Sequence, residues 1–298
     1  MRKSAVFVGN CHNSGITHYL KLSKQFSETF DIQQHANWQM LKNKSTLPVE
    51  SLKSADLFIF QPLAPEHGYY STDPTVPGSI RSLTPEHCIK IAFPYTFCSS
   101  LWPIAQAAHS ANRWFGFEPI KKMLDLGLTH SDIVNLYDKN EIDWEYNARF
   151  EETMKILEKK ESITDIKVSS YIRQNFRIKR LFLTHQHPAS LLFLEEANQV
   201  LNILGMDKLD ESVVQSHNDA MIEDSTYQRH DCTFPIHKSA INDYGLEFAI
   251  EDPDAQDFYR KRLIDYLTMN PNKATAPEDW LMKDWGYLPS IVKEEENE

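Results

Sequence analysis

Val6-Phe7-Val8-Gly9-Asn10-Cys11-His12-Asn13-Ser14-Gly15 carries the chain from an apolar run into a polar turn. Ala5 to Val8 has the length and β-branched content of a short buried strand, and it stops at Gly9. After Gly15, the apolar residues Ile16, Tyr19 and Leu20 fall at helical spacing. Strand, tight turn and helix in immediate succession predict an α/β sheet, in which ligands bind in the crevice beyond the strand ends. Cys11 stands in that crevice. A helix N-terminus beside it favours the thiolate and its nucleophilicity. The plainer reading, a small buried hydrophobe, fits most free cysteines and stays open.

The chain of 298 residues has room for one large domain or two small ones. Its 41% hydrophobic residues suffice for a globular core, and only nine glycines leave little room for flexible linkers. A formal charge of −11 argues against broad nucleic-acid binding, which needs a basic footprint. It leaves room for a local basic pocket. The apolar run after Met1-Arg2-Lys3 is too short for a signal peptide, and no stretch approaches the roughly 18 apolar residues of a membrane span. Cys11, Cys88, Cys98 and Cys232 show no CxxC spacing, so they read as reduced thiols of a cytoplasmic protein.

Further along, Phe30 to Gln33 is a candidate second strand, and 37–50 reads as loop or short helix. Ala55 to Gln61 is the clearest buried strand, ended by Pro62. Gln61 at its end reads either as a cap or as a site residue. A long loop from His67 to Pro85 precedes a strand from Cys88 to Phe93, which runs into the aromatic, hydroxyl-rich loop Tyr95 to Pro103. Helical periodicity starts at Thr129, covers Trp144 to Glu161 and continues from Ile166 to Asn175. The runs Glu151-Glu152 and Lys159-Lys160 read as solvated faces. Arg177 to Arg180 is a basic cluster, read as a solvated helix end or as a phosphate contact. Leu181 to Thr184 is the next strand; His185-Gln186-His187-Pro188 follows, then a helix from Ala189 to Leu204 stopped by Gly205. Past 206 the sequence predicts a helix from Asp254 to Met269. Trp280, Trp285 and Tyr287 read as packing on the main body, and the acidic tail from Lys293 as frayed. The expected architecture is a three-layer, flavodoxin/SGNH-like, mostly parallel sheet. A catalytic core over 1–205 carries a helical insert near 129–175, and a mainly helical extension over 206–298 packs on it.

Motif comparison narrows the chemistry. Gly9 to Gly15 fails the P-loop pattern GxxxxGK(S/T), since the spacing is one too long and the lysine is absent. GxGxxG fails as well. His185 and His187 sit as in the metal-binding HxHxDH pattern, but Ala189 and Ser190 replace the aspartate and third histidine. Two ligands do not make a divalent site, so no metal is expected. The layout resembles SGNH hydrolases, which carry Gly-Asp-Ser after the first strand and Asp-x-x-His after the last. Here Cys11 takes the serine's place, Asn10 the aspartate's and His187 the histidine's, while Thr184 stands where the orienting aspartate belongs. A thiol nucleophile tolerates that loss better than a hydroxyl does.

A closer resemblance rests on Gly9-Asn10-Cys11, Phe60-Gln61-Pro62, Phe93-Pro94 with its aromatic loop, and Leu181-Phe182-Leu183 running to His187-Pro188, with Glu151 to Tyr171 as a helical insert. In order and spacing these are similar to the WcbI-type polysaccharide-biosynthesis acetyltransferases; the chain departs at His12, where relatives often carry glutamine. The resemblance implies an acetyl-CoA-dependent O-acetyltransferase acting on a sugar of a bacterial surface polysaccharide. Cys11 and His187 are then the catalytic candidates, His187 as general base. Asn10, His12, Gln61 and His185 are candidates for oxyanion or substrate contact, together with the main-chain N–H groups of the Gly9–His12 turn. His185 is also a candidate for orienting His187. Ser14 and the cations Arg173, Arg177 and Arg180 are candidates for contact with CoA, the arginines on charge alone. An esterase or deacetylase on the same site and a non-catalytic glycan-binding protein are the alternatives. The partners expected are a small-molecule thioester and a carbohydrate.

Overall fold

The computed structural model of the chain describes residues 2–98, 100–102, 105–106, 114–115, 118–214, 234–249 and 251–268. Cys232, Trp280, Trp285, Tyr287 and the 293–298 tail lie outside these.

Strand β1 (Lys3–Gly9) is one of the two inner strands of a four-stranded parallel sheet in the order β2-β1-β3-β4, with β2 (Phe30–Ala36), β3 (Leu57–Phe60) and β4 (Ile89–Ala92). The register sets Ala5 opposite Ile32 and Leu57, and Val8 opposite His35 and Phe60. Period-2 alternation then splits the apolar residues between two faces. Ala5, Phe7, Leu57, Ile59 and Ile91 belong to the larger core, while Val6, Val8, Phe58, Phe60 and Ala92 belong to a second one. Helices α1 (His12–Leu22) and α9 (Ser190–Ile203) cover the first face; α3 (Asn37–Asn43) and α4 (Val49–Lys53) contribute Met40 and Leu52 to the second. Each large apolar side chain so buried is worth about 1.5–3 kcal/mol relative to exposure. Three layers, with β1 in the middle, result. Helix α2 (Lys24–Thr29) leads into β2.

Glycine at position 15 sets how closely α1 and α9 approach. A Cβ there would lie 2.5 Å from the ring of Phe193, which is itself wholly buried. Gly15→Ala is therefore expected to force the two helices apart and cost about 1–3 kcal/mol, read as a lowered urea midpoint with unchanged slope.

Beyond β4 the chain forms two-residue strands β5 (Ala105–Gln106) and β6 (Trp114–Phe115), then helices α5 (Glu118–Asp125), α6 (His130–Asp138), α7 (Tyr146–Glu161) and α8 (Ser169–Asn175). Thr129 starts α6 with a reciprocal capping box to Asp132. The helix predicted from Ile166 begins only at Ser169. Residues 165–166 instead serve the end of β4: the Asp165 and Ile166 N–H groups donate to the Ala92 carbonyl at 2.9 and 3.0 Å, and the Asp165 carboxylate accepts the Ala92 N–H at 2.7 Å. Backbone groups satisfied by a strand end are unavailable to a helix.

The Leu181–Thr184 segment departs further from expectation. Strand β7 (Phe182–Thr184) pairs antiparallel with β8 (His187–Pro188), in a short irregular hairpin separate from the parallel ladder. The His-Gln-His-Pro stretch is thus the turn and return strand of a hairpin, and α9 starts after it. Gly205, at φ +69°, ends α9 as predicted. Past it, α10 (Lys238–Tyr244) packs on α7 and α11 (Ala255–Thr268) packs on α6. Among the described residues no helix is long and apolar enough to cross a membrane.

Candidate active site

At the end of β1 the turn is held by its own polar groups. The Asn10 N–H donates to Gln61 Oε1 at 3.0 Å, and Asn10 Oδ1 accepts the His12 N–H at 3.0 Å. The Asn13 and Ser14 N–H groups close onto the Asn10 and Cys11 carbonyls, at 3.1 Å each. Two of the main-chain donors expected to meet an oxyanion, on Asn10 and His12, are therefore already engaged, because an Asx-type turn must satisfy its buried amides. Asn10 is a turn-forming residue here. Gly9 lets the turn sit against Phe93: a Cβ would come within 2.6 Å of the ring. Cys11 is half-buried at the N-cap of α1, and Ser14 is half-buried one turn in, its carbonyl accepting from the Thr17 hydroxyl.

Gln61 joins the two readings offered for it. Its Oε1 takes the Asn10 N–H and, at 3.4 Å, the Asn37 amide. With the oxygen so fixed, the NH2 end points elsewhere. That Nε2 is buried and has no partner among the described residues.

The second turn meets the first through His12. This side chain is wholly buried, stacked on Tyr95 at 5.6 Å and edge-on to Phe193 at 5.8 Å. Burial pushes its pKa down to about 3; the Gln186 main chain opposes that shift, and His187 and Lys160 add to it. Imidazole 12 is thus neutral, and it lies beside the hairpin turn. Tyr95, half-buried, is within electrostatic reach of Cys11. The aromatic loop is tied to the same hairpin by the Cys98 N–H, which donates to the His185 carbonyl at 2.8 Å.

His187 is half-buried, and its Nδ1 bonds to Thr184 Oγ1 at 3.0 Å. The orienting partner is therefore Thr184 itself, at the position where related layouts place aspartate. His185 turns away instead: it is buried, stacks on Phe234 at 6.1 Å, and burial with nearby His187 and Arg262 lowers its pKa to about 3.

Lys160 corrects the reading of its run as solvated. It is 5% exposed, with Nζ 4.7 Å from the ring centroids of both Tyr95 and Phe97, and it donates to the Tyr95 carbonyl at 3.5 Å. Desolvation lowers its pKa to about 7. On the other side of the same loop Glu196 is wholly buried, accepts from the Thr96 hydroxyl at 3.4 Å and is raised by burial to about 8. Lysine and glutamate thus flank the aromatic loop from α7 and α9.

Of the cations chosen on charge, Arg173 donates to both Glu151 and Glu158 on the protein surface. Arg177 is exposed, its carbonyl accepting the Glu247 N–H. Arg180 is half-buried and donates to the Phe182 and Phe234 carbonyls at 3.5 and 3.3 Å.

A family model described as polysaccharide biosynthesis enzyme WcbI matches residues 4–209. The chain belongs to the WcbI family of polysaccharide biosynthesis enzymes. The match contains both turns, the aromatic loop and the helical insert; α10 and α11 lie outside it. Comparison with curated proteins gives no match. Among solved structures the chain is similar to a WcbI structure, with a TM-score of 0.64 and 14% identity over 95% of this chain and 96% of that one. That relative is described as a novel polysaccharide biosynthesis enzyme, the native protein without a disulfide bond between CoA and one of its cysteines. At this identity the similarity shows a shared fold, and the α/β architecture read from the sequence agrees with it.

Proposed function

We propose that this WcbI-family protein is an acetyl-CoA-dependent O-acetyltransferase acting on a sugar of a bacterial surface polysaccharide, with Cys11 and His187 as its reacting pair. The supporting observation is the meeting of the two turns, in which His12, next to Cys11, lies beside Gln186 and within electrostatic reach of His187. Family membership supports the polysaccharide side. The donor is supported by the related WcbI, whose description names CoA and one of its cysteines together, the native protein being without a disulfide between them. In this reading the thioester is bound with its carbonyl at Cys11.

In the covalent route the Cys11 thiolate attacks the thioester carbonyl. A C–S bond to the enzyme forms, the bond to CoA breaks, and CoA leaves as a thiolate that takes up a proton. The sugar hydroxyl then attacks the acyl-cysteine, its proton passes to His187 Nε2, and the Cys11 thiolate departs. When Nδ1 carries its proton toward Thr184 Oγ1, Nε2 holds the lone pair this step needs. In the direct route the same base activates the hydroxyl against bound thioester. Gln61 Nε2 is the donor for the oxyanion, a role commonly worth about 2.7–4 kcal/mol.

The test is release of CoA thiol from acetyl-CoA, with and without a panel of nucleotide sugars and polysaccharide fragments. Acceptor-dependent release, lost in Cys11→Ala and accompanied by an acetylated Cys11 peptide in mass spectra, is expected. Release at one rate regardless of acceptor assigns the site to an esterase. Full transfer by both Cys11→Ala and His187→Ala overturns the assignment.

A further inference from the structure

The chain carries 42 acidic and 31 basic residues, so carboxylates outnumber the cations they can pair with. Arg2 pairs with Asp31, Arg173 with Glu151 and Glu158, and Arg260 with Asp138. Arg180 and Arg262 have no ion pair among the described residues, and both contact Phe234, Arg262 through the ring and Arg180 through the main-chain carbonyl. The Arg262 guanidinium lies 5.0 Å from the Phe234 centroid and 4.2 Å from that of Phe258, and its Nε is buried without a partner. Arg180 donates to the main-chain carbonyl of the same Phe234, over a long 3.3 Å. Both cations reach the buried Tyr259, whose hydroxyl donates to the Pro235 carbonyl at 2.6 Å.

Phe234 ties this pair to the active site. Its N–H donates to the Leu183 carbonyl at 2.9 Å, which sets it beside β7, and its ring stacks on His185. Arg262 is close enough to His185 to act on its charge. Two half-buried guanidinium groups therefore stand beside the hairpin that presents His187. Burial pushes both down from the usual arginine range. Asp265 acts on Arg262 from the next turn of α11, but no carboxylate is paired with either guanidinium among the described residues. A half-buried cation held this way is costly, and an anion arriving between two such groups recovers part of that cost. The planar fork of arginine matches phosphate oxygens two at a time.

We propose that Arg180 and Arg262, gathered around Phe234, form a seat for a phosphate group of a substrate, half of it supplied by α11 from outside the family-matched residues. The seat differs from the charge-based choice of three arginines in one helix end: it keeps Arg180, leaves out the ion-paired Arg173, and adds a residue 82 positions further along the chain. Two sources fit the chemistry, the phosphates of a CoA thioester and a phosphate on the sugar acceptor. Assigning the first rests on the acyl-transfer reading above; the seat itself does not.

Calorimetric titration of the full chain with inorganic pyrophosphate at low ionic strength tests the seat without any acetyl transfer. Arg180→Gln and Arg262→Gln are each expected to weaken pyrophosphate roughly ten- to hundredfold, the range for hydrogen bonds to a charged group. Arg262→Lys keeps the charge and loses the fork, so it falls between parent and Arg262→Gln, and it serves if the glutamine variant does not fold. Arg260→Gln, on the opposite face of α11 and ion-paired with Asp138, binds like the parent. Titration with CoA and with pantetheine then separates the sources. Weakened CoA with unchanged pantetheine assigns the seat to the donor; unchanged CoA with weakened pyrophosphate assigns it to the acceptor. No pyrophosphate binding by the parent, or equal affinity in parent, Arg180→Gln and Arg262→Gln, overturns the proposal.

Discussion

His187→Ala is expected to slow acetyl transfer by about 100- to 10,000-fold, the usual contribution of a positioned general base. The loss falls on kcat, because the imidazole moves a proton only as the carbonyl is attacked. Thr184 decides what that imidazole can do. A hydroxyl bonded to Nδ1 at 3.0 Å orients the ring but brings no charge to stabilise an imidazolium. Thr184→Val removes the bond and leaves the fold intact, for a loss of roughly tenfold, the worth of one neutral hydrogen bond. Thr184→Asp acts in the other direction on pH. A carboxylate beside the ring favours its protonated form, so the acid limb of the kcat/KM profile moves to higher pH. Initial rates of thiol release across pH check all three variants. An unmoved limb in Thr184→Asp would show that another group is the base.

The division between what the sequence disclosed and what it hid follows from the range of the forces involved. Strands β1, β3 and β4 are short apolar runs ended by Gly9, Pro62 and Pro94, and such local signals survive without tertiary context. The two turns were legible for the same reason. The hairpin at β7 was not, since the partner of a three-residue strand is chosen by what surrounds it. Charged side chains were the hardest to place. Lys159 and Lys160 are identical in type and adjacent on α7, yet the helix turns about 100° between them, so one faces water and the other meets Tyr95 and Phe97. Glu161 is buried because its carboxylate accepts from the Val168 and Ser169 N–H groups at the start of α8. No periodicity within α7 predicts either contact. Arg262 is not legible in the sequence, because its place beside Phe234 and His185 depends on α11 returning to the hairpin from beyond the resembling residues.

Acid is expected to destabilise the protein with a slope that steepens below pH 4.5. His12 and His185 are held neutral in the fold, with pKa values near 3 against 6.5 in the unfolded chain. Each takes up its proton only on unfolding, so stability falls as pH drops from 6.5 toward 3, at about 1.4 kcal/mol per pH unit for each ring. Glu196 works against them. Its folded pKa near 8 exceeds its ordinary value of 4.5, so the fold keeps a proton that the unfolded chain releases between those values. Between pH 6.5 and 4.5 the two rings and the one carboxyl leave a net uptake of one proton on unfolding, a slope of about 1.4 kcal/mol per unit. Below 4.5 the carboxyl no longer differs between states and the slope doubles to about 2.7 kcal/mol per unit. Lys160, lowered to about 7 from 10.5, adds stability only as pH rises above 7, where up to pH 8 it offsets the loss from Glu196. Urea unfolding at a series of pH values measures the slopes. Glu196→Gln should double the slope between pH 6.5 and 4.5, and His12→Gln should halve it below 4.5. A flat stability from pH 6.5 to 4.5 in Glu196→Gln would mean that the two rings are charged in the fold. In that case the burial of His12 beside Gln186, which brings the two turns together, would be mistaken, and the proposed pairing of Cys11 with His187 would fall with it.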